Sequence, residues 1–266
     1  MSNMEDNLKI ILAQCEAKLG DKEWNSERIL EITSKTRGDL YVFPELYLTG
    51  YLIKDRVLYL AESISSPSKE LKLLIEELKD KDFITVFGLP EKDFKGVFYN
   101  SALVLGRGKL KVYRKSHLPN FGPFREMLYY SPGEPCQSVL EFEGFRIGVE
   151  ICYDIFFPEV AKCYSLQGAD ILITISASPV TSRAVFERLI PARAVENVLY
   201  HIYVNYPGVA EDLLFWGGSR VVDPRGNIIS QAKYFEEDIV TAEVDLRRLE
   251  VMRLLRMTYR DTIISH

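Results

Sequence analysis

Phe145-Arg-Ile-Gly-Val-Glu-Ile-Cys-Tyr-Asp154 reads as an apolar strand that stops at a cysteine, and the segments on either side of it decide the fold. Upstream, Glu143-Gly144 joins it to another strand. Downstream, the pattern predicts a helix from about Pro158 to Leu166, a strand over Asp170 to Ile175 and a helix over roughly Ser182 to Val198. Thr181 is placed to cap that last helix and Pro191 to kink it. A strand from Tyr200 to Asn205 and a hairpin over Ser219 to Ile229 complete this half. The preceding half repeats the order. Leu8 to Gln14 reads as a strand, Ser26 to Thr36 as an amphipathic helix and Asp39 to Phe43 as a strand. Ser66-Pro67-Ser68-Lys-Glu70 carries a helix-start signature that continues through Leu71 to Leu78, and Phe83 to Leu89 is a strand. Tyr99 to Leu105 and Leu110 to Lys115 then flank Gly106-Arg-Gly108, the turn chemistry of a hairpin. Residues 8–115 and 145–231 therefore suggest an internal duplication, which an α/β sandwich of two sheets with helices outside both would satisfy.

Between the halves, Ser116 to Pro135 is rich in Pro, Gly and aromatics without periodicity. So long an irregular segment in a compact domain is usually functional, and it is taken as a binding loop. No Pro/Ser-rich linker separates the halves, so the 266 residues are expected to form one large domain. The tail from Asp245 to His266 reads as a helix followed by an extended arm.

The balance of 33 Lys and Arg against 38 Asp and Glu, a net charge of −5, supplies no basic face for nucleic acid or anionic lipid. No apolar run approaches the roughly 18 residues of a membrane span. The start, Met1-Ser-Asn-Met-Glu-Asp6, is acidic where a signal peptide is basic, and Cys15, Cys136, Cys152 and Cys163 show no Cys-x-x-Cys spacing. A cytoplasmic chain with free thiols is expected. The three histidines, His117, His201 and His266, are not paired at ligand spacing, which disfavours a His-based metal site and a Cys-His dyad.

Three ionisable residues share one context, the end of a strand, where sheet proteins covered by helices build their sites: Glu45, Lys115 and Cys152. Taken singly each has an ordinary reading: a solvent-facing glutamate, a surface lysine and a small core residue. Together they are complete for acyl transfer. A thiol with a pKa near 8.5 needs a base, a carboxylate serves as one, and a buried ammonium stabilises the oxyanion of a tetrahedral intermediate.

The segments Phe43-Pro-Glu-Leu-Tyr-Leu-Thr-Gly-Tyr51, Tyr113-Arg-Lys-Ser-His-Leu-Pro119 and Gly148-Val-Glu-Ile-Cys-Tyr-Asp154 stand in the order and at the separations of the nitrilase, or carbon-nitrogen hydrolase, superfamily, which the chain resembles. Tyr130-Ser-Pro-Gly133, Ala192-Arg-Ala-Val-Glu-Asn197 and Gly218-Ser-Arg-Val-Val-Asp-Pro-Arg-Gly226 extend the likeness. The resemblance implies a four-layer αββα sandwich over residues 8–245, with 246–266 as an arm at a subunit interface of a homodimer or higher oligomer; a helix packed on its own subunit is the equal alternative for this tail. It also implies that Cys152 is the nucleophile, Glu45 the general base and Lys115 the oxyanion cation, with the Tyr153 N–H as a second oxyanion donor. Glu126 falls where many amidases have a further glutamate, which would orient the substrate amide or assist the attack; its plainer reading is a carboxylate paired with Arg125 or Lys115. No metal or organic cofactor is implied.

Tyr51, Phe121, Tyr153, Ser176, Ala177 and Ser178 are the expected substrate-binding positions, with loop and strand-end packing as the equal alternative. Cys163 is expected to pack, His117 to make a structural hydrogen bond, Asp154 to cap its turn, and Arg193, Glu196 and Asn197 to form a buried polar network.

Three stretches, Phe43 to Tyr51, Tyr99 to Leu105 and Lys115 to Gly122, resemble the glutaminase half of glutamine-dependent NAD synthetases. The chain departs from those proteins in having Cys152-Tyr-Asp where they carry Cys-Glu-Asp, and no synthetase domain is expected after residue 266. The expected function is hydrolysis of a small-molecule amide, such as an aliphatic ω-amide, through a cysteine thioester. Nitrilase or N-carbamoyl hydrolase activity is the alternative, and a non-catalytic scaffold a further one.

Overall fold

The computed structural model describes residues 7–265, with the backbone alone for 263–265; the acidic start Met1 to Asp6 and the terminal His266 lie outside the described residues. The first half comprises β1 (Asn7–Gln14), α1 (Lys22–Lys35), β2 (Leu40–Val42), the single turn α2 (Val57–Leu60), α3 (Lys69–Leu78), β3 (Ile84–Lys92), β4 (Phe98–Gly106) and β5 (Lys109–Arg114), and the loop after it holds α4 (Glu126–Tyr129). The second half comprises β6 (Leu140–Phe142), β7 (Phe145–Ile151), α5 (Pro158–Leu166), β8 (Ile171–Ser176), α6 (Arg183–Asn197) and β9 (Tyr200–Asn205). It continues with β10 (Pro207–Ala210), β11 (Leu213–Trp216), β12 (Arg220–Val222), β13 (Ile228–Gln231) and β14 (Asp238–Asp245), and α7 (Leu246–Leu255) and α8 (Met257–Ser265) close the chain.

Two six-stranded sheets run β14-β1-β2-β3-β4-β5 and β13-β12-β9-β8-β7-β6. Each has three central parallel strands, β1-β2-β3 and β7-β8-β9, continued by an antiparallel pair on one side and bordered by one antiparallel strand on the other. The duplication expected from the sequence is therefore present strand for strand. Side-chain alternation builds the layers. Ile10, Leu12, Val42, Val86 and Val104 of the first sheet meet Ile147, Val149, Ile151 and Ile173 of the second in one buried cluster. The opposite face of the first sheet, with Ile11, Tyr41, Phe87 and Leu103, packs on Ile29 and Ile32 of α1 and Leu71, Leu74 and Leu78 of α3. The helices α5 and α6 cover the second sheet. Gly148 allows α5 to close on β7, because a Cβ there would stand 2.5 Å from the ring of Tyr164. The architecture is the αββα sandwich.

Local expectations needed correction where capping chemistry was misjudged. Thr181 does not cap α6: Val180–Ser182 is a 3-10 turn, and the helix starts at Arg183 without a side-chain cap. The first helix begins before Ser26, at Lys22, because Asp21 accepts from the Trp24 N–H. The end of the chain, expected as an extended arm, is α8. α7 buries Leu249 and Met252 and holds its own subunit through Arg253, which reaches Asp170 (2.6 Å) and the Ala169 and Val198 carbonyls.

The expectation of four free thiols is also overturned. The loop after β5 folds back across α5, bringing Cys136 and Cys163 to a Cα separation of 5.6 Å, within disulfide range, and the two are bonded. Cys15 and Cys152 are the free thiols, so cysteine state no longer argues for a reducing compartment. Among the described residues, no helix is long and apolar enough to cross a membrane.

Candidate active site

Glu45 follows β2 through a turn pressed against the neighbouring strand. The backbone at Glu45 and Leu46 passes so close to Gly88 of β3 that a Cβ there would lie 2.0 Å from the Leu46 nitrogen, and Leu46 itself sits at φ 50°. The Glu45 side chain is fully buried: Oε1 accepts from Asn100 Nδ2 and Lys115 Nζ, both at 2.7 Å, and Oε2 accepts from the Ala177 N–H at 2.8 Å. Lys115 is buried where β5 ends. Its strand is pinned by Arg114, which forms a two-pronged contact with Glu91 (2.6 and 2.9 Å). The Lys115 ammonium also donates to Glu126 Oε1 at 2.8 Å, and the same oxygen accepts from the Tyr51 hydroxyl at 2.6 Å. Arg125 turns instead to the Gly122 and Phe124 carbonyls. Of the two plainer pairings expected for Glu126, only that with Lys115 forms.

Cys152 sits at the C-terminal end of β7 at φ 47°, a backbone region that non-glycine residues rarely adopt. A 3-10 turn (Cys152–Phe156) follows. Asp154 ties this turn to the segment after Lys115, accepting from the Ile151 N–H, the Ser116 hydroxyl (2.7 Å) and the His117 N–H (2.8 Å). It is therefore the capping group its position suggested. His117 makes the structural contact expected of it, 3.0 Å from Asp154 and stacked on Phe157. Arg193, Glu196 and Asn197 are joined as expected, with Arg193 also reaching the Ile155 carbonyl of the same turn (2.9 Å), but only Arg193 and Asn197 are buried and Glu196 is exposed.

Burial sets the electrostatics. The Cys152 thiol is pushed far above its ordinary pKa by desolvation and by Glu45, with Lys115, Ser176 and Ala177 pulling the other way. Cys152 is thus a thiol at rest. Desolvation pulls Lys115 down, but Glu126 and Glu45 outweigh it and hold the ammonium above its usual range. Glu126 is raised to about 7, mainly by burial, with Lys115 opposing and Glu45 reinforcing. Tyr51 is raised by burial and by the same carboxylates.

The expected substrate-binding positions divide. Ser176 and Ala177 lie against Cys152 and Glu45, and Tyr51 touches Glu126. Ser178 faces away, its N–H donating to Asn205 and its hydroxyl accepting from Trp216 Nε1. Phe121 is exposed, with its ring 5.4 Å from Tyr153 and 5.8 Å from Phe124. A cavity of about 150 Å³ beside Glu126 is lined by Leu46, Tyr51, Phe124, Tyr129, Tyr130 and Leu213. A wider, polar hollow of about 890 Å³, bordered by Lys9, Asp39, Asp82 and Glu243, opens at the other end of the first sheet and holds no nucleophilic thiol. Sequence reasoning missed Asn100, a buried polar residue of β4 that supplies a direct hydrogen bond to Glu45. Among the described residues, no group of three or more His, Cys, Asp or Glu is arranged to hold a metal.

A profile of the carbon-nitrogen hydrolase family matches residues 9–254. The chain belongs to that family. This carbon-nitrogen hydrolase is 36% identical over 251 residues to an (R)-stereoselective amidase from a Pseudomonas species, covering 92% of this chain and 88% of that one. It is 34% identical over 260 residues to the glutamine-dependent NAD(+) synthetase of Aquifex aeolicus, covering 96% of this chain but 45% of that protein, so it spans about half the length of that relative. An amidase of the nitrilase superfamily from Nesterenkonia sp. AN1 shares its fold at a TM-score of 0.79 and 26% identity, covering 94% of this chain and 97% of that one. The structure compared is a glutamate-to-glutamine variant carrying the acetamide moiety of fluoroacetamide, covalently added at the active-site cysteine.

Proposed function

We propose that this hydrolase cleaves the C–N bond of a small-molecule amide through a thioester on Cys152. The observation that carries the reading is the buried chain Tyr51–Glu126–Lys115–Glu45, joined by contacts of 2.6 to 2.8 Å and electrostatically coupled to a thiol on a left-handed turn. Because that thiol is protonated at rest, a base must remove its proton as sulfur attacks. Glu45 is suited to this: its Oε2 takes one backbone donor and keeps a lone pair. The Lys115 ammonium, held charged by two carboxylates, and the Tyr153 N–H stabilise the oxyanion. Glu45 then passes the proton to the leaving nitrogen, ammonia or an amine departs, and Glu45 activates the water that hydrolyses the thioester. Glu126 Oε2, buried without a partner, accepts an N–H from the substrate amide. The Pseudomonas and Nesterenkonia amidases, matched over nearly their whole lengths, support the amide reading. Exposed Val251, Leu254, Leu255 and Met257 on α7 and α8 support a homodimer built through this end of the chain.

The test is ammonia release from a panel of aliphatic amides, nitriles and N-carbamoyl compounds, with the Cys152→Ala variant as the control. Release from an amide that is lost in the variant supports the proposal. Release only from nitriles or carbamoyl compounds moves the substrate class, and an active Cys152→Ala variant overturns the mechanism.

A further inference from the structure

A second buried ionisable cluster lies directly behind the candidate site and takes no part in the chemistry above. Glu150 of β7, Thr174 of β8 and His201 of β9 are each 0 to 1% exposed. Thr174 Oγ1 is 2.7 Å from Glu150 Oε1 and 2.7 Å from His201 Nε2, and His201 Nδ1 is 2.8 Å from the Ile190 carbonyl of α6. Glu150 stands two residues before Cys152, which opens the turn after β7, and Thr174 lies two before Ser176 on the same face of β8, so the cluster sits on the strand ends that lead into the candidate site.

The hydrogen atoms in this chain can be counted. A carbonyl only accepts, so His201 Nδ1 carries a proton that it donates to Ile190. A neutral ring then leaves Nε2 bare, and the single Thr174 hydroxyl proton is the donor it needs. That proton is then unavailable to Glu150, so the 2.7 Å contact between Thr174 and Glu150 requires a proton on the carboxyl. We infer that Glu150 is a neutral carboxylic acid which donates through Thr174 to His201, and that this three-member chain is a positioning device for the β7 and β8 ends carrying Cys152 and Ser176.

Two further observations agree. Glu150 Oε2 has no hydrogen-bond partner, which is far less costly for the carbonyl oxygen of an acid than for a carboxylate. Burial pushes Glu150 up to about 8 and holds His201 down at about 4. The groups facing Glu150 do not reverse this. A hydrogen bond from the Thr174 hydroxyl would favour its ionisation, as does Arg193 of α6, but burial outweighs both; Asp154 in the turn after Cys152 and Glu196 of α6 oppose it, Tyr164 of α5 lies near it, and His201 Nε2 is 3.8 Å away. The competing arrangement has the same number of protons but shifts one, giving an imidazolium and a carboxylate, both buried.

The protonation state stands on the contacts of the chain together with the burial of both ionisable members and the unpartnered Glu150 Oε2; its effect on turnover rests on Cys152 being the nucleophile. In the folded chain Glu150 keeps its proton up to about pH 8, whereas its ordinary value is 4.5, so its contribution to stability falls as pH rises through that window. Glutamine reproduces the donor and the neutral charge without titrating. Glu150→Gln should therefore retain turnover within about twofold at neutral pH. Its melting temperature relative to the wild type should climb between about pH 4.5 and about pH 8, and it should lack the fall in turnover that the wild type shows above about pH 8. Nitrogen NMR of 15N-histidine-labelled wild type, assigned with His201→Gln, should show His201 protonated on Nδ1 alone at neutral pH. A doubly protonated His201 overturns the inference, as does a folded Glu150→Gln variant that loses more than about tenfold in turnover. The NMR and melting measurements decide the matter even if no amide is cleaved. An alkaline fall in turnover unchanged in Glu150→Gln overturns the positioning role while leaving the nucleophile intact.

Discussion

Cys15 and Cys152 occupy equivalent places in the two halves. Each is a buried free thiol directly after the first parallel strand of its sheet, β1 or β7. Both are raised by burial, Cys15 to about 12. Their surroundings differ. Cys15 lies 3.1 Å from the Tyr47 hydroxyl and 3.4 Å from the Ala13 carbonyl, and the charged groups it feels, Glu237, Arg28 and Glu16, are partly or largely exposed. Cys152 is turned into a left-handed conformation and feels Glu45 and Lys115. Because burial disfavours the thiolate at both positions, neither sulfur is reactive by its own pKa. What separates them is the buried Glu45 carboxylate and Lys115 ammonium that act on Cys152, and the left-handed backbone there.

The comparison can be broken most forcefully at the thiols. Cys152→Ser should lower turnover to background with an unchanged circular dichroism spectrum, whereas Cys15→Ser should keep kcat and lose only stability, about 1 to 3 kcal/mol by chemical denaturation for a buried hydroxyl in a thiol site. Equal losses at both positions would erase the distinction. Next is the cation. Lys115→Met should cost about 100- to 1,000-fold in kcat, and it should destabilise the fold by about 3 to 5 kcal/mol because Glu45 and Glu126 are left uncompensated. The smallest effect is expected at Glu126, where Glu126→Gln should lower kcat/KM about 100-fold by misplacing the amide. The wild-type kcat/KM should rise with pH through about 7 as Glu126 ionises and becomes the stronger acceptor, and the variant should lack that limb.

The fold was legible because its two halves repeat one pattern of strands, helices and glycine hairpin, and because an apolar strand ending at Cys152 admits few alternatives. Of the candidate site, Glu45, Lys115 and Cys152 are legible because each ends a strand, whereas Glu126 is legible only through the family likeness of the loop that holds it. Their mutual distances depend on how the two sheets stack, which no local pattern encodes. Asn100 was missed for that reason: it becomes significant only when β4 places it beside Glu45. Ser178 follows a strand and so reads as a substrate wall, but the Asn205 and Trp216 contacts turn it inward. The Cys136–Cys163 bond spans 27 residues between a loop and a helix face, and nothing in the spacing of the cysteines announces that those two segments meet.

The central claim, that the second-half cysteine alone carries the acyl group, is tested most directly by mass spectrometry of enzyme quenched during turnover of an amide substrate. The account predicts a mass increase equal to the acyl group, on the peptide that contains Cys152, removed by hydroxylamine as a thioester would be. Acylation of Cys15 or of any other residue, with Cys152 unmodified while ammonia is being released, would contradict it.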